Sequence, residues 1–190
     1  MLRFYRRHIK TFIWVIVLSF VAWGIGTLSI STNDSSPYAG SIRGQKITQK
    51  EFMMTMRFYD LLTRRQGKEP KSEPLSYEQL RALTWQTIIV SREAKQQGVE
   101  VTDEEIKAEI EKLFSVAGSF SLILYQDWVH QNFDGRSRDF EEVIRKYLAV
   151  QNIRQKVLTR IPEAERENHW VKWLTNTIGS AQLKDFTDKV

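Results

Sequence analysis

At 190 residues, 42% hydrophobic and 27% charged, the chain has the size and composition of one folded domain with an appendage. It contains no cysteine, which excludes disulfides, thiolate catalysis, cysteine-based zinc sites and a lipoprotein-type anchor. The net charge of +5 comes almost wholly from Arg3, Arg6, Arg7 and Lys10; the other 24 basic residues face 23 acids, so no nucleic-acid footprint remains.

Residues 11–30, TFIWVIVLSFVAWGIGTLSI, carry no charge. At about 1.5 Å per residue they span a hydrocarbon core of roughly 30 Å. Trp14 and Trp23 suit the two interfaces, and the preceding Arg6 and Arg7 cluster keeps the N-terminus cytoplasmic. The alternative is a cleaved signal peptide, for which Gly24-Ile25-Gly26 is a weak small-x-small site. Either reading exports the rest of the chain. The division expected is a basic cytoplasmic segment at 1–10, a transmembrane helix at 11–30, a polar linker at 31–37 and one extracytoplasmic domain at 38–190.

Two short runs around Arg43-Gly44-Gln45 predict a hairpin, and Thr48-Gln49-Lys50-Glu51 is a capping box that turns it straight into a helix. That helix, from about Gln49 to Arg65, carries two neighbouring stripes, Phe52/Met56/Tyr59 and Met54/Phe58/Leu61. Pro70 and Pro74 break the next segment. Ser76-Tyr77-Glu78-Gln79 caps a second helix that ends near Gly98, and Thr102-Asp103-Glu104-Glu105 caps a third, with Ile106, Ile110 and Leu113 on its inner face. A shorter helix is predicted over 122–133, and a turn at Asp134-Gly135. A long amphipathic helix then carries Phe140, Val143, Tyr147, Val150 and Val157. Pro162 marks the start of another, with Trp170, Trp173 and Leu174 inward and Gly179 ending it. AQLKDF, residues 181–186, alternates as one last strand.

No pattern for chemistry appears. The three histidines, His8, His130 and His169, fit no metal-ligand spacing. Asp103, Glu104 and Glu105 are explained as charges at a helix N-terminus. No phosphate-binding glycine loop and no Gly-x-Ser-x-Gly occurs. The sequence therefore predicts no catalytic residue, cofactor or metal, and no enzyme. What remains is apolar surface. Met53, Met54 and Met56 are all the methionines besides Met1, and such side chains adapt to varied partners. Consecutive helix positions cannot share one core, so Met53 or Met54 should lie away from Phe52. The dense segment from Phe114 and Phe120 through Leu122, Ile123, Leu124, Tyr125 and Trp128 to Phe133 offers part of a groove for apolar peptide.

Three fragments carry a family resemblance. Ala39-Gly40-Ser41-Ile42-Arg43-Gly44-Gln45-Lys46-Ile47-Thr48 with Phe52 resembles the hairpin-then-helix opening of SurA-type N-terminal chaperone domains. Gln97-Gly98-Val99-Glu100-Val101-Thr102-Asp103-Glu104-Glu105-Ile106 is similar to the family's next signature, and Phe140-Glu141-Glu142-Val143-Ile144-Arg145 with Leu148 to its third. Together they cover roughly residues 38–158. The arginine-rich start and apolar run look like the membrane-anchored, PpiD-like relatives.

The resemblance implies a fold that is mainly α, with an antiparallel sheet of about three strands joining the two ends of the domain, AQLKDF returning to the 38–48 hairpin. Relatives commonly insert a parvulin-type prolyl isomerase before this closing element. Here only residues 160–164 fill that place, whereas a compact domain needs at least ~50. The implied function is a membrane-anchored holdase on the periplasmic side of a bacterial inner membrane, binding unfolded or nascent exported proteins without isomerase activity. Met53, Met54, Phe58, Leu61, Phe120, Leu124, Tyr125 and Trp128 are the candidate client-binding residues. Partners would include the bilayer, and translocation machinery or a separate partner protein. The rival expectation is an assembly subunit docking one fixed partner in an inner-membrane complex.

Overall fold

The computed structural model describes residues 37–66 and 75–187. The expected membrane segment, with Arg6, Arg7, Trp14 and Trp23, lies outside the described residues, as does the proline loop at 67–74. Among the described residues no helix is long and apolar enough to cross a membrane.

Strand β1 (Tyr38–Ile42) turns through Arg43 and Gly44, both at positive φ, into β2 (Gln45–Thr48). Helix α1 (Gln49–Gln66) follows at once, the Glu51 amide donating to Thr48 Oγ1 at 3.1 Å. The other half of the expected box is replaced: the Glu51 carboxylate pairs with Lys146 at 3.5 Å and Arg92 at 3.9 Å. Helices α2 (Tyr77–Gln96) and α3 (Asp103–Leu113) both begin on complete capping boxes, at Ser76 and Thr102. Gly98, at φ +69°, lets the chain leave α2, and the Val99 amide donates back to the Ala94 carbonyl at 2.9 Å. The chain continues through α4 (Leu122–Phe133) and α5 (Ser137–Leu158). After one 3₁₀ turn (Glu163–Glu165) comes α6 (Arg166–Ser180).

Helix α2 packs against α1, α5 and α6 and so sits at the centre. Three apolar clusters form the core. One gathers Met54, Phe58, Ile106, Phe114, Phe133 and Phe140 from α1, α3, α4 and α5. A second joins the sheet to Phe52, Trp85, Ile88 and Ala181, and a third fastens α6 to α2 and α5 through Trp170 and Ile153. The two stripes of α1 therefore enter different clusters: Met53 and Met56 pack with Phe52, Met54 with Phe58.

The sheet has the order β2-β1-β5, with β5 (Lys184–Asp185) antiparallel to β1, Gly40 opposite Asp185 and Ser41 opposite Lys184. The hairpin is thus completed by the far end of the domain, as the resemblance implied. The closing strand is shorter than the expected 181–186. Gln182 adopts φ +48°, which breaks the extended run, and the Ala181 carbonyl accepts instead from the Arg43 amide at 2.9 Å. Gly179 does not end α6, which runs to Ser180, and Pro162 caps the 3₁₀ turn rather than the helix. A second hairpin, β3 (Ser115–Val116) with β4 (Ser119–Phe120), was not anticipated by the sequence pattern.

One carboxylate clamps the closing strand. Asp185 Oδ2 accepts from Trp85 Nε1 at 2.7 Å and from Arg81 Nε and Nη2 at 2.9 and 2.8 Å; Oδ1 accepts from the Thr187 amide and hydroxyl at 2.8 and 2.6 Å. Burial alone would raise its pKa, but the hydrogen bonds from Thr187 and Arg81 and the guanidinium charge outweigh it, holding the carboxyl below its usual value. A depressed carboxylate stabilises the fold above the unfolded-state value of about 4, and that contribution is lost as pH falls through the lower folded value. Asp185→Asn is expected to cost about 1–3 kcal/mol at neutral pH. It should also flatten the loss of stability below about pH 4, measured by urea titration across that range.

Candidate functional site

The 14 residues from Leu113 to Gln126 carry no charge, between Lys112 and Asp127. They build the β3–β4 hairpin and the first turn of α4. Ala117 and Gly118, at φ +50° and +84°, make its tight turn, and the Ser121 amide donates to the Phe114 carbonyl at 2.9 Å, closing the hairpin onto the end of α3. The Ser121 hydroxyl then accepts from the Leu124 amide at 3.4 Å and caps α4. Opposite residues of a two-stranded ribbon share a face, so Phe120 lies with Ser115 and away from Val116.

Phe120 leans over Tyr125, their ring centroids 6.1 Å apart, and Tyr125 stands edge-on to the buried Phe114 at 5.3 Å. Between α3, this hairpin, α4 and α5 lies a cleft of about 700 Å³. Ile106, Ile110, Phe120, Leu122 and Tyr125 give it apolar walls, while Lys107, Arg138 and Arg145 alternate with Asp103, Glu111, Glu141 and Glu142 at the rim. Arg145 is fixed there by donating to the Val101 carbonyl at 2.8 Å and to Asp103 Oδ1 at 2.9 Å. Burial, followed by the nearby Glu141 charge, raises the Tyr125 phenol above its ordinary pKa. It is a neutral, half-buried ring with no proton to exchange near pH 7. The site can hold apolar side chains between mixed charges.

A second cleft, of about 440 Å³, lies beside α2 and α5. Its walls are mostly charged, and Glu51 draws in both Lys146 and Arg92.

The eight predicted contact residues separate clearly. Phe120 and Tyr125 line the larger cleft. Leu124 is exposed on α4 beside it, and Trp128 is partly buried against Phe140, at a centroid distance of 4.9 Å. Met54 and Phe58 are buried core rather than open surface, and Leu61 packs against the same cluster. Met53 packs partly buried by the sheet. The physical reason is that α1 packs against both α2 and α5, so the Met54/Phe58 stripe meets other helices while the Phe52 stripe meets the sheet and α2. Leu122, 54% exposed at the cleft mouth, belonged to the dense apolar segment but not to the eight; Ile106 and Ile110 were readable only as the inner face of a helix.

The family model for a SurA-like N-terminal domain matches residues 1–154. The chain belongs to this family. No curated protein and no solved structure matches it significantly. The SurA-like match ends within α5, so the last helix and the strand that completes the sheet lie beyond it. The cleft lies wholly inside it. Membership places the chain in a chaperone-type family, consistent with binding unfolded polypeptide.

Proposed function

We propose that this SurA-like domain is a membrane-tethered holdase, which shields apolar segments of unfolded, newly exported chains on the periplasmic side of a bacterial inner membrane. The observation that carries the reading is the exposure of Phe120 (40%) and Leu122 at the mouth of a cleft that has an apolar floor and a mixed-charge rim. Large apolar side chains left open beside a preformed cleft mark an interaction surface. Anchoring by residues 11–30 raises the local concentration of the site where clients emerge, so micromolar affinity, on the order of −8 kcal/mol, suffices and release stays fast. The domain acts by covering and uncovering apolar surface. Only residues 159–165 join α5 to α6, too few for an inserted catalytic domain, so no isomerase step is assigned to that junction.

The test uses the full chain with a photocrosslinking residue at Leu122. Capture of many different exported proteins is the expected result; one dominant stoichiometric partner would instead make the chain an assembly subunit. Replacing Phe120 and Leu122 together by serine should raise the amount of protein needed to suppress aggregation of an unfolded client about tenfold, equivalent to ~1.4 kcal/mol. The urea midpoint of this variant should fall only slightly, because the two side chains are 40% and 54% exposed and lie outside the buried clusters.

A further inference from the structure

The two clefts are parts of one groove, because Glu142 and Arg145 line both. Their common floor is one face of α5, where positions 138, 142, 145 and 149 recur at steps of four and three. From Arg138 to Ala149 that face runs about 16 Å, the length of about five extended residues. The two ends differ in charge. The larger cleft is lined by three cations and four acids, the smaller by four cations and three acids. In the smaller, Glu142 answers Arg145 at 3.9 Å, but the single Glu51 carboxylate is shared by Lys146 and Arg92. Lys95, exposed at the end of α2, forms no ion pair among the described residues, the neighbouring Glu100 included. The smaller cleft is therefore short of one carboxylate.

We propose that the groove takes an extended client segment in which an acidic side chain stands about five residues from an apolar one. The apolar side chain enters the larger cleft beside Phe120 and Leu122, and the carboxylate reaches Lys95, Lys146 and Arg92 in the smaller. This rests on the preceding reading of the larger cleft as the client site and adds a charge preference to it. Charge complementarity selects the occupant. A client carboxylate gives the two cations that share Glu51 a second partner and offers Lys95 its first, whereas a client lysine adds to the existing excess. Arg145 stands at the junction of the clefts and takes no part in the selection, because the Val101 carbonyl and Asp103 already hold its guanidinium. Lys95 lies in solvent, so the attraction is modest and salt weakens it.

The test measures fluorescence anisotropy of dye-labelled peptides with the full-length chain in detergent. Each peptide has the same Leu-Phe-Leu core, flanked on both sides by glutamate, glutamine or lysine, so that chain direction does not matter. The expected result is that the glutamate peptide binds about threefold more tightly than the glutamine peptide in low salt, and the lysine peptide less tightly than either. The preference should vanish in roughly 0.5 M salt. Lys95→Glu should abolish it while leaving the glutamine peptide's affinity unchanged, which also shows that the variant is folded. Lys172→Glu, the same charge change on a helix that lines neither cleft, should keep it. Equal affinities for the glutamate and glutamine peptides overturn the charge preference and leave the client reading standing. A preference that survives Lys95→Glu means that the acid is read elsewhere, and also overturns the proposal. Binding of none of the three peptides overturns both readings.

Discussion

Phe140→Ala is expected to destabilise the domain by about 4 kcal/mol, within the 3–5 range for removing a buried phenylalanine. The ring has no exposure and stands within 4.9–6.2 Å, centroid to centroid, of Trp128, Phe133, Phe114, Tyr125 and Phe58. These neighbours come from α1, α4 and the end of α3, so the cavity would open where elements of different sequence range meet. Their rings are held by one another and cannot rotate freely into the gap. A domain of ordinary stability has about 5–15 kcal/mol in total, so such a loss leaves little in reserve. The measurement is the urea midpoint with near-ultraviolet circular dichroism. Phe140→Leu, which keeps most of the volume, should cost about 1–2 kcal/mol. Nearly equal losses for the two variants would mean that the cluster collapses around the smaller side chain. The variant should also impair the cleft, because Tyr125 rests on Phe140.

The helices were legible because their ends obey local rules. Ser76 and Gln79 exchange hydrogen bonds of 3.3 and 2.8 Å, and Thr102 and Glu105 do the same at 3.2 and 2.7 Å, each within four residues of sequence. Glu105, drawn below its usual pKa by the Thr102 amide and then by Asn152, shows how one cap also reaches α5. What could not be read were features decided by residues far apart. The bend at Gln182 follows a residue, Ala181, that is engaged by the distant Arg43, and nothing within AQLKDF signals it. The β3–β4 hairpin has two-residue strands, too short for any alternation to register.

The candidate site divides along the same line. Periodicity marked Met54 and Phe58 as apolar and helical, but a stripe looks the same whether a helix or a solvent-filled cleft faces it. The packing of α1 against α2 and α5 puts both in the buried cluster. Phe120 and Tyr125, which line the cleft, came from a different kind of signal: the dense apolar segment from Phe114 to Phe133, whose elements are too short to give every apolar side chain a core to enter.

Gly40→Val is expected to be comparably damaging, for the opposite reason: it adds atoms where none fit. A Cβ at position 40 would lie 2.3 Å from the Lys184 carbonyl oxygen and 2.8 Å from Cη2 of Trp85. The first is backbone of the paired strand β5, and the second belongs to a ring that is buried and tethered through its Nε1–H to Asp185. Neither is the free end of a flexible side chain. Alanine should therefore cost about 2–3 kcal/mol, and valine at least ~3. The expected failure is specific: β5 leaves β1, the Phe186 amide loses its 2.8 Å bond to the Ala39 carbonyl, and the Asp185 clamp opens with it. A two-strand hairpin is marginal in water, so losing the third strand removes what completes the sheet. Hydrogen exchange should show early deprotection at Phe186 and Arg43, whose amide is held by Ala181, while amides deep in α5 exchange last. Uniform deprotection would mean that the sheet and the helical core unfold as one unit. Unchanged exchange at Phe186 would mean that the ends of the domain are joined chiefly by the packing of α6, through Trp170 and Ile153, rather than by strand pairing.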